Sequence, residues 1–98
     1  MWWLCINISP LFINLQWGRQ AINTTALKTV ELQISFNISF KERPPYVGIS
    51  LTDSGLNGNE RPIGFIKDPV SLNEFTLCNR SEIDSGANSY FWIALGKI

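Results

Sequence analysis

Ninety-eight residues suffice for one domain with a small core, since a chain this short keeps a large surface for its volume. Eight basic and eight acidic residues cancel, so no long-range field draws nucleic acid or an anionic membrane surface. Histidine is absent, which excludes a Ser/His/Asp triad and any His-containing zinc site.

Charged residues make up 16% of the chain and hydrophobic residues 45%, with four Trp and six Phe. Weak charge on a small, aromatic-rich chain predicts that part of its surface is covered by other chains. Cys5 and Cys78 are too few for a four-ligand metal site; free thiols are favoured, and pairing in an oxidising compartment is the alternative that two cysteines leave open. No cofactor is expected. Residues 1–10 form an apolar N-terminal extension, broken at Asn7 and far below the roughly 20 residues of a membrane span. No basic residue precedes the apolar run, unlike in a secretory signal. It reads as a strand or a flap packing on a neighbour, without membrane insertion. The sequons at Asn7, Asn23, Asn37 and Asn79 read as accidental in a chain rich in Asn, Ser and Thr.

The domain proper spans residues 11–98. Leu11 to Trp17 is predicted as a first strand, with Gly18 as a break or bulge. Ala21 to Thr29 is the one helix candidate, weakened by its three threonines. From Val30 to Phe40, apolar Val30, Leu32, Ile34, Phe36, Ile38 and Phe40 alternate with polar residues, the period of a strand buried on one face. Its length predicts a bulge or bend near Ser35 to Asn37. Arg43-Pro44-Pro45 breaks the ladder, because proline has no N–H to donate. Tyr46 to Thr52 reads as the next strand and residues 53–59 as a glycine-rich loop. Pro62 to Lys67 gives a short strand in which Gly64 marks a bulge or a close backbone approach. After the Asp68-Pro69 turn, Glu74 to Asn79 alternates again with Phe75 and Leu77 on one face. Arg80 to Asn88 reads as a loop, and Ser89 to Gly96 as the closing strand. About six short strands predict an all-β fold, a small antiparallel β-sandwich.

Two phrases carry a resemblance: Ile13-Asn14-Leu15-Gln16-Trp17-Gly18-Arg19 and Phe91-Trp92-Ile93-Ala94-Leu95-Gly96. With Thr29-Val30-Glu31-Leu32, Ile38-Ser39-Phe40 and Phe75-Thr76 between them, their order resembles the C-terminal tip domain of bacteriophage and prophage tail fibres over residues 11–98. The chain is also similar to the H-type lectin domain, through Phe36 or Phe40, then Arg43-Pro44-Pro45-Tyr46-Val47, Phe75-Thr76 and Trp92-Ile93-Ala94. That family is a six-stranded β-sandwich that binds N-acetylgalactosamine, and both families imply a homotrimer. The lectin's sugar contacts do not carry over: its aspartate aligns near Thr25, its tryptophan near Arg80 and its histidine near Ser81.

The resemblance implies a non-enzymatic tip on a virion tail fibre, made in the bacterial cytoplasm. It would attach to bacterial surface polysaccharide or an outer-membrane receptor. A secreted lectin and a ligand-free fibre cap are the alternatives. Arg80, Glu82, Asp84, Asn88 and Tyr90 are candidate ligand contacts, because guanidinium forks, carboxylates and amides suit hydroxyl-rich ligands. Asp53 and Asn57 form a second candidate group, and Gln20, Asn23 and Thr25 a third, by position in the lectin family. Gln16, Trp17, Phe91 and Trp92 are expected in the core or at the trimer interface, Gln16 pairing buried amides across that interface. The carboxylates Asp53, Asp68, Glu74, Glu82 and Asp84 sit in turns or strand margins, and no two stand apart as a buried acid pair.

Overall fold

The computed structural model describes residues 2–8, 11–24, 26–54, 62–81 and 86–97. Among them lie seven strands and no helix: β1 (Trp2–Ile8), β2 (Leu11–Thr24), β3 (Thr29–Ser35), β4 (Tyr46–Ser54), β5 (Ile63–Lys67), β6 (Glu74–Arg80) and β7 (Gly86–Lys97). The named strands pair antiparallel throughout, in a four-stranded sheet of order β1-β2-β7-β4 and a three-stranded sheet of order β3-β6-β5. The two sheets pack as a β-sandwich. Six of the strands are those expected within residues 11–98, and the apolar extension adds β1, paired with β2 of its own chain.

The core is aromatic. Trp92 of β7 and Phe75 of β6 meet with ring centroids 5.4 Å apart, and Phe36 stacks on Phe75 at 5.7 Å. Phe40 meets the Phe36 ring edge-on at 5.0 Å. Ile22, Ile34, Leu77, Tyr90 and Ala94 complete the buried cluster. Each large side chain buried here contributes about 1.5–3 kcal/mol relative to exposure.

Four expectations need correction. Gly18 breaks nothing, because β2 runs through it to Thr24. The helix candidate over Ala21 to Thr29 is strand and turn: Ile22 and Thr24 are buried while Ala21 and Asn23 are exposed, the alternation of a strand end. The loop over Arg80 to Asn88 is too long, because Arg80 closes β6 and Gly86, Ala87 and Asn88 open β7. β4 continues past Thr52 to Ser54, absorbing a register shift between Leu51 and Asp53.

The bend after the long alternation is where it was expected. β3 stops at Ser35, yet Phe36 and Phe40 still face inward. Their backbone N–H groups donate to the carbonyls of Asn73 (2.8 Å) and Leu72 (2.9 Å), which replace the lost ladder.

Candidate functional site

Three chain segments leave the sandwich at the same end. Thr24 pairs with Gly86 and Ser54 with Asn88 in the four-stranded sheet. Arg80 is flanked by Thr29 and Ile63 in the other sheet. Ala26 bridges Ser81, and the Leu27 N–H donates to the Ser81 carbonyl at 2.8 Å, so the β2–β3 and β6–β7 connections meet. Leu27 takes a left-handed φ of 63° there and exposes its side chain. The β2–β3, β4–β5 and β6–β7 connections therefore all start and finish at this end, although they are far apart in sequence.

Beneath that end the interior turns polar. The Tyr90 hydroxyl donates across the sandwich to Asn79 Oδ1 at 2.7 Å, and both residues are buried. Thr24 Oγ1 accepts the Gly86 N–H at 3.0 Å, and the Asn88 amide lies 3.4 Å from the same oxygen. Among the described residues, Asn79 Nδ2 and Asn88 Oδ1 have no hydrogen-bond partner. Burial pushes the Tyr90 phenol above its ordinary pKa.

This interior corrects two expected ligand contacts. Asn88 and Tyr90 are 1% and 2% exposed, so they are internal structure and not loop ligands. Strand register turns both inward, where Asn88 meets Thr24 of β2 and Tyr90 meets Asn79 of β6. Arg80 is half-buried at the end of β6. Gln20 is half-buried in β2, with its Nε2 donating to the Ala21 carbonyl at 3.0 Å, and Asn23 is exposed. Asp53 lies in β4 at the register shift. Thr25, Asn57, Glu82 and Asp84 lie outside the described residues, between strands that converge on this end.

The four residues expected at the core or interface divide by face. Gln16 and Trp92 are core. Gln16 works within its own chain and not across an interface: Oε1 accepts the Asn37 N–H at 2.6 Å and lies 3.3 Å from the Ile38 N. Its Nε2 donates to the Ile38 carbonyl at 2.7 Å and to Asn14 Oδ1 at 2.8 Å. Trp17 and Phe91 lie on the opposite, outward face of the same sheet, half-buried and exposed respectively. There Leu15 pairs with Leu95, Trp17 with Ile93, and Tyr46 with Leu95. Tyr46, Phe91, Ile93 and Leu95 are all exposed. Most of this face is therefore an apolar strip.

Glu31, Gln33, Lys67 and Thr76, none of them a candidate ligand contact from the sequence, line a shallow groove on the outer face of the β3-β6-β5 sheet. Their signal was the polar half of each alternation. Cys78 sits in the same sheet as a free, buried thiol. Burial, and next the Glu31 carboxylate, push its pKa up, while the Lys67 ammonium pulls it down. No group of three or more metal-ligating side chains occurs among the described residues, and no helix among them is long and apolar enough to cross a membrane. No protein-family model and no curated protein matches the chain.

Proposed function

We propose that this chain is the receptor-binding tip of a phage or prophage tail fibre, a non-enzymatic homotrimer that attaches to a bacterial surface glycan or protein. The observation that carries the reading is the outward face of the β1-β2-β7-β4 sheet. The two phrases that resemble fibre tips lie side by side there, Trp17 opposite Ile93 and Leu15 opposite Leu95, with Phe91 and Tyr46 beside them. A contiguous apolar face on a folded domain marks an association surface, and closed symmetry lets copies of one chain cover it. Covering it would also protect the sheet from unplanned association.

The convergence of three connections at one end supports attachment. Arg80 closes β6 at that end, and its copies would be repeated around the trimer axis. Weak single sites held on one rigid body raise avidity without a tight individual contact.

Sedimentation velocity at micromolar concentration tests the assembly. A trimer is expected, and a clean monomer would remove the main support. Binding to whole bacteria and to their purified envelope polysaccharide tests the attachment. Selective binding to bacterial material is expected. Strong binding to N-acetylgalactosamine alone would favour the lectin reading instead.

A further inference from the structure

The outward face of the β3-β6-β5 sheet is ordered in rows by the strand register. Glu31, Cys78 and Phe65 form one row across β3, β6 and β5, and Gln33, Thr76 and Lys67 form the next. The Lys67 ammonium donates to Glu31 Oε1 at 2.8 Å, so the ion pair crosses β6 diagonally from one row to the other. Both side chains stay accessible, Lys67 at 58% and Glu31 at 46%. Glu31, Leu32, Gln33, Lys67 and Thr76 line a groove of about 540 Å³. Phe65 shares this face two residues before Lys67 and is 43% exposed.

We propose that this groove binds a neutral, hydroxyl-rich saccharide ring, with Phe65 as the platform for the ring's C–H face. An exposed aromatic ring beside polar groups suits a ligand with one apolar face and a rim of hydroxyls. Thr76 and Gln33 both donate and accept, as sugar hydroxyls do. The ion pair uses one bond from each partner, leaving Lys67 with further N–H donors and Glu31 with acceptor sites. The two charges cancel, so the groove has no preference for an anion or a cation. All these side chains stand on strands, and the pair restrains the two most flexible of them, which reduces the ordering cost of binding.

This site lies on the sheet that the apolar strip leaves free, and away from the end where the connections converge. It belongs to one chain and stands whether or not the trimer does. Its use as an avid attachment surface rests on the proposed trimer.

The test is an amide chemical-shift titration of the isotope-labelled full chain with methyl glycosides of glucose, galactose, mannose, N-acetylglucosamine and N-acetylgalactosamine. Concentrations up to about 50 mM reach the weak affinities of single sugar sites. At least one glycoside is expected to shift the amides of Glu31, Gln33, Phe65, Lys67 and Thr76 saturably. Phe65→Ala and Glu31→Gln should each weaken that binding roughly tenfold, with spectra elsewhere unchanged as the check on folding. Ile93→Glu, on the opposite sheet, should leave it intact, which separates the groove from the assembly. The proposal is overturned if no glycoside moves these amides, or if neither variant weakens the response. It is also overturned if the shifts cluster at Thr24, Ala26, Ser81 and Gly86, which would assign sugar binding to the loop end. Sodium sulfate shifting Lys67 and Thr76 where glycosides do not would make the groove an anion site and reject the saccharide.

Discussion

Gly18 and Trp92 lie opposite each other across β2 and β7, and a Cβ built on Gly18 would fall 2.8 Å from the indole Nε1 of Trp92. The indole cannot yield, because Phe75 and Phe36 hold it on its other sides at 5.4 and 6.3 Å. The glycine of the first phrase and the tryptophan of the second are therefore one packing unit. Each residue type explains the other: the largest side chain of the core occupies the space that only a missing Cβ leaves.

Gly18→Ala should accordingly destabilise the fold by about 1–3 kcal/mol, the usual cost of overpacking a filled core. Gly48 provides the contrast. A Cβ there would meet only Ile93 Cγ2, at 3.4 Å. Gly48→Ala should stabilise by about 0.5 kcal/mol, through the lost freedom of the unfolded chain. Urea unfolding midpoints check both, and a Gly18→Ala protein as stable as the parent would refute the packing account.

Gln16 holds the bend that ends β3 through both backbone N–H groups and the carbonyl at Asn37 and Ile38. Gln16→Leu keeps the bulk and removes those bonds, and it also leaves Asn14 Oδ1 without its donor. Asn37 is exposed and Ile38 half-buried, so water recovers part of the loss. About 2 kcal/mol is expected. Hydrogen exchange at the Asn37 and Ile38 amides should accelerate more than the global loss of stability explains. Unchanged exchange at both would remove Gln16 from that role.

That bend also marks what the sequence could convey. The alternation from Val30 to Phe40 gave the buried face correctly on both sides of it, because Phe36 and Phe40 keep the inward parity after the ladder stops. What holds the chain beyond the ladder is Gln16, some twenty positions away, and no local pattern carries that. The loop end was less legible for a related reason. Asn79, Asn88 and Tyr90 are polar or amphipathic, so a single strand read alone puts them at the surface. They are buried because Tyr90 meets Asn79 across two sheets. The groove was hidden differently: Glu31 and Lys67 lie on strands separated by β6 and come together only once both pair with it.

The raised pKa values of Tyr90 and Cys78 make stability fall in alkali. Above the ordinary values of 9.0 for the thiol and 10.0 for the phenol, the unfolded chain releases those protons while the folded chain still holds them. Folding then binds protons, so stability decreases as pH rises. The contribution is complete below pH 9.0 for Cys78 and below pH 10.0 for Tyr90, and it is lost as pH climbs through the folded values. Urea midpoints should be level through neutral pH and decline from about pH 9. Cys78→Ser should remove the earlier part of that decline and Tyr90→Phe the later part. A slope identical in both variants would exclude these two groups as its source.

The apolar strip gives the sharpest separation of assembly from folding. Ile93 and Leu95 alternate along β7 with Trp92 and Ala94, so their side chains leave the core on the outward face, at 36% and 44% exposure. Ile93→Glu and Leu95→Glu therefore put a charge on that face without entering the core, and surface changes of this kind cost within about 0.5 kcal/mol. A glutamate trapped in an apolar contact between copies would cost far more, because a buried carboxylate needs a cationic partner that Leu15, Trp17 and Tyr46 do not offer. Each variant is thus expected to sediment as a monomer with the parent's far-ultraviolet circular dichroism. Lys28→Glu and Gln33→Glu, away from the strip, should sediment as the parent does. If the Ile93 and Leu95 variants keep the parent's oligomeric state, this face is not where the copies meet.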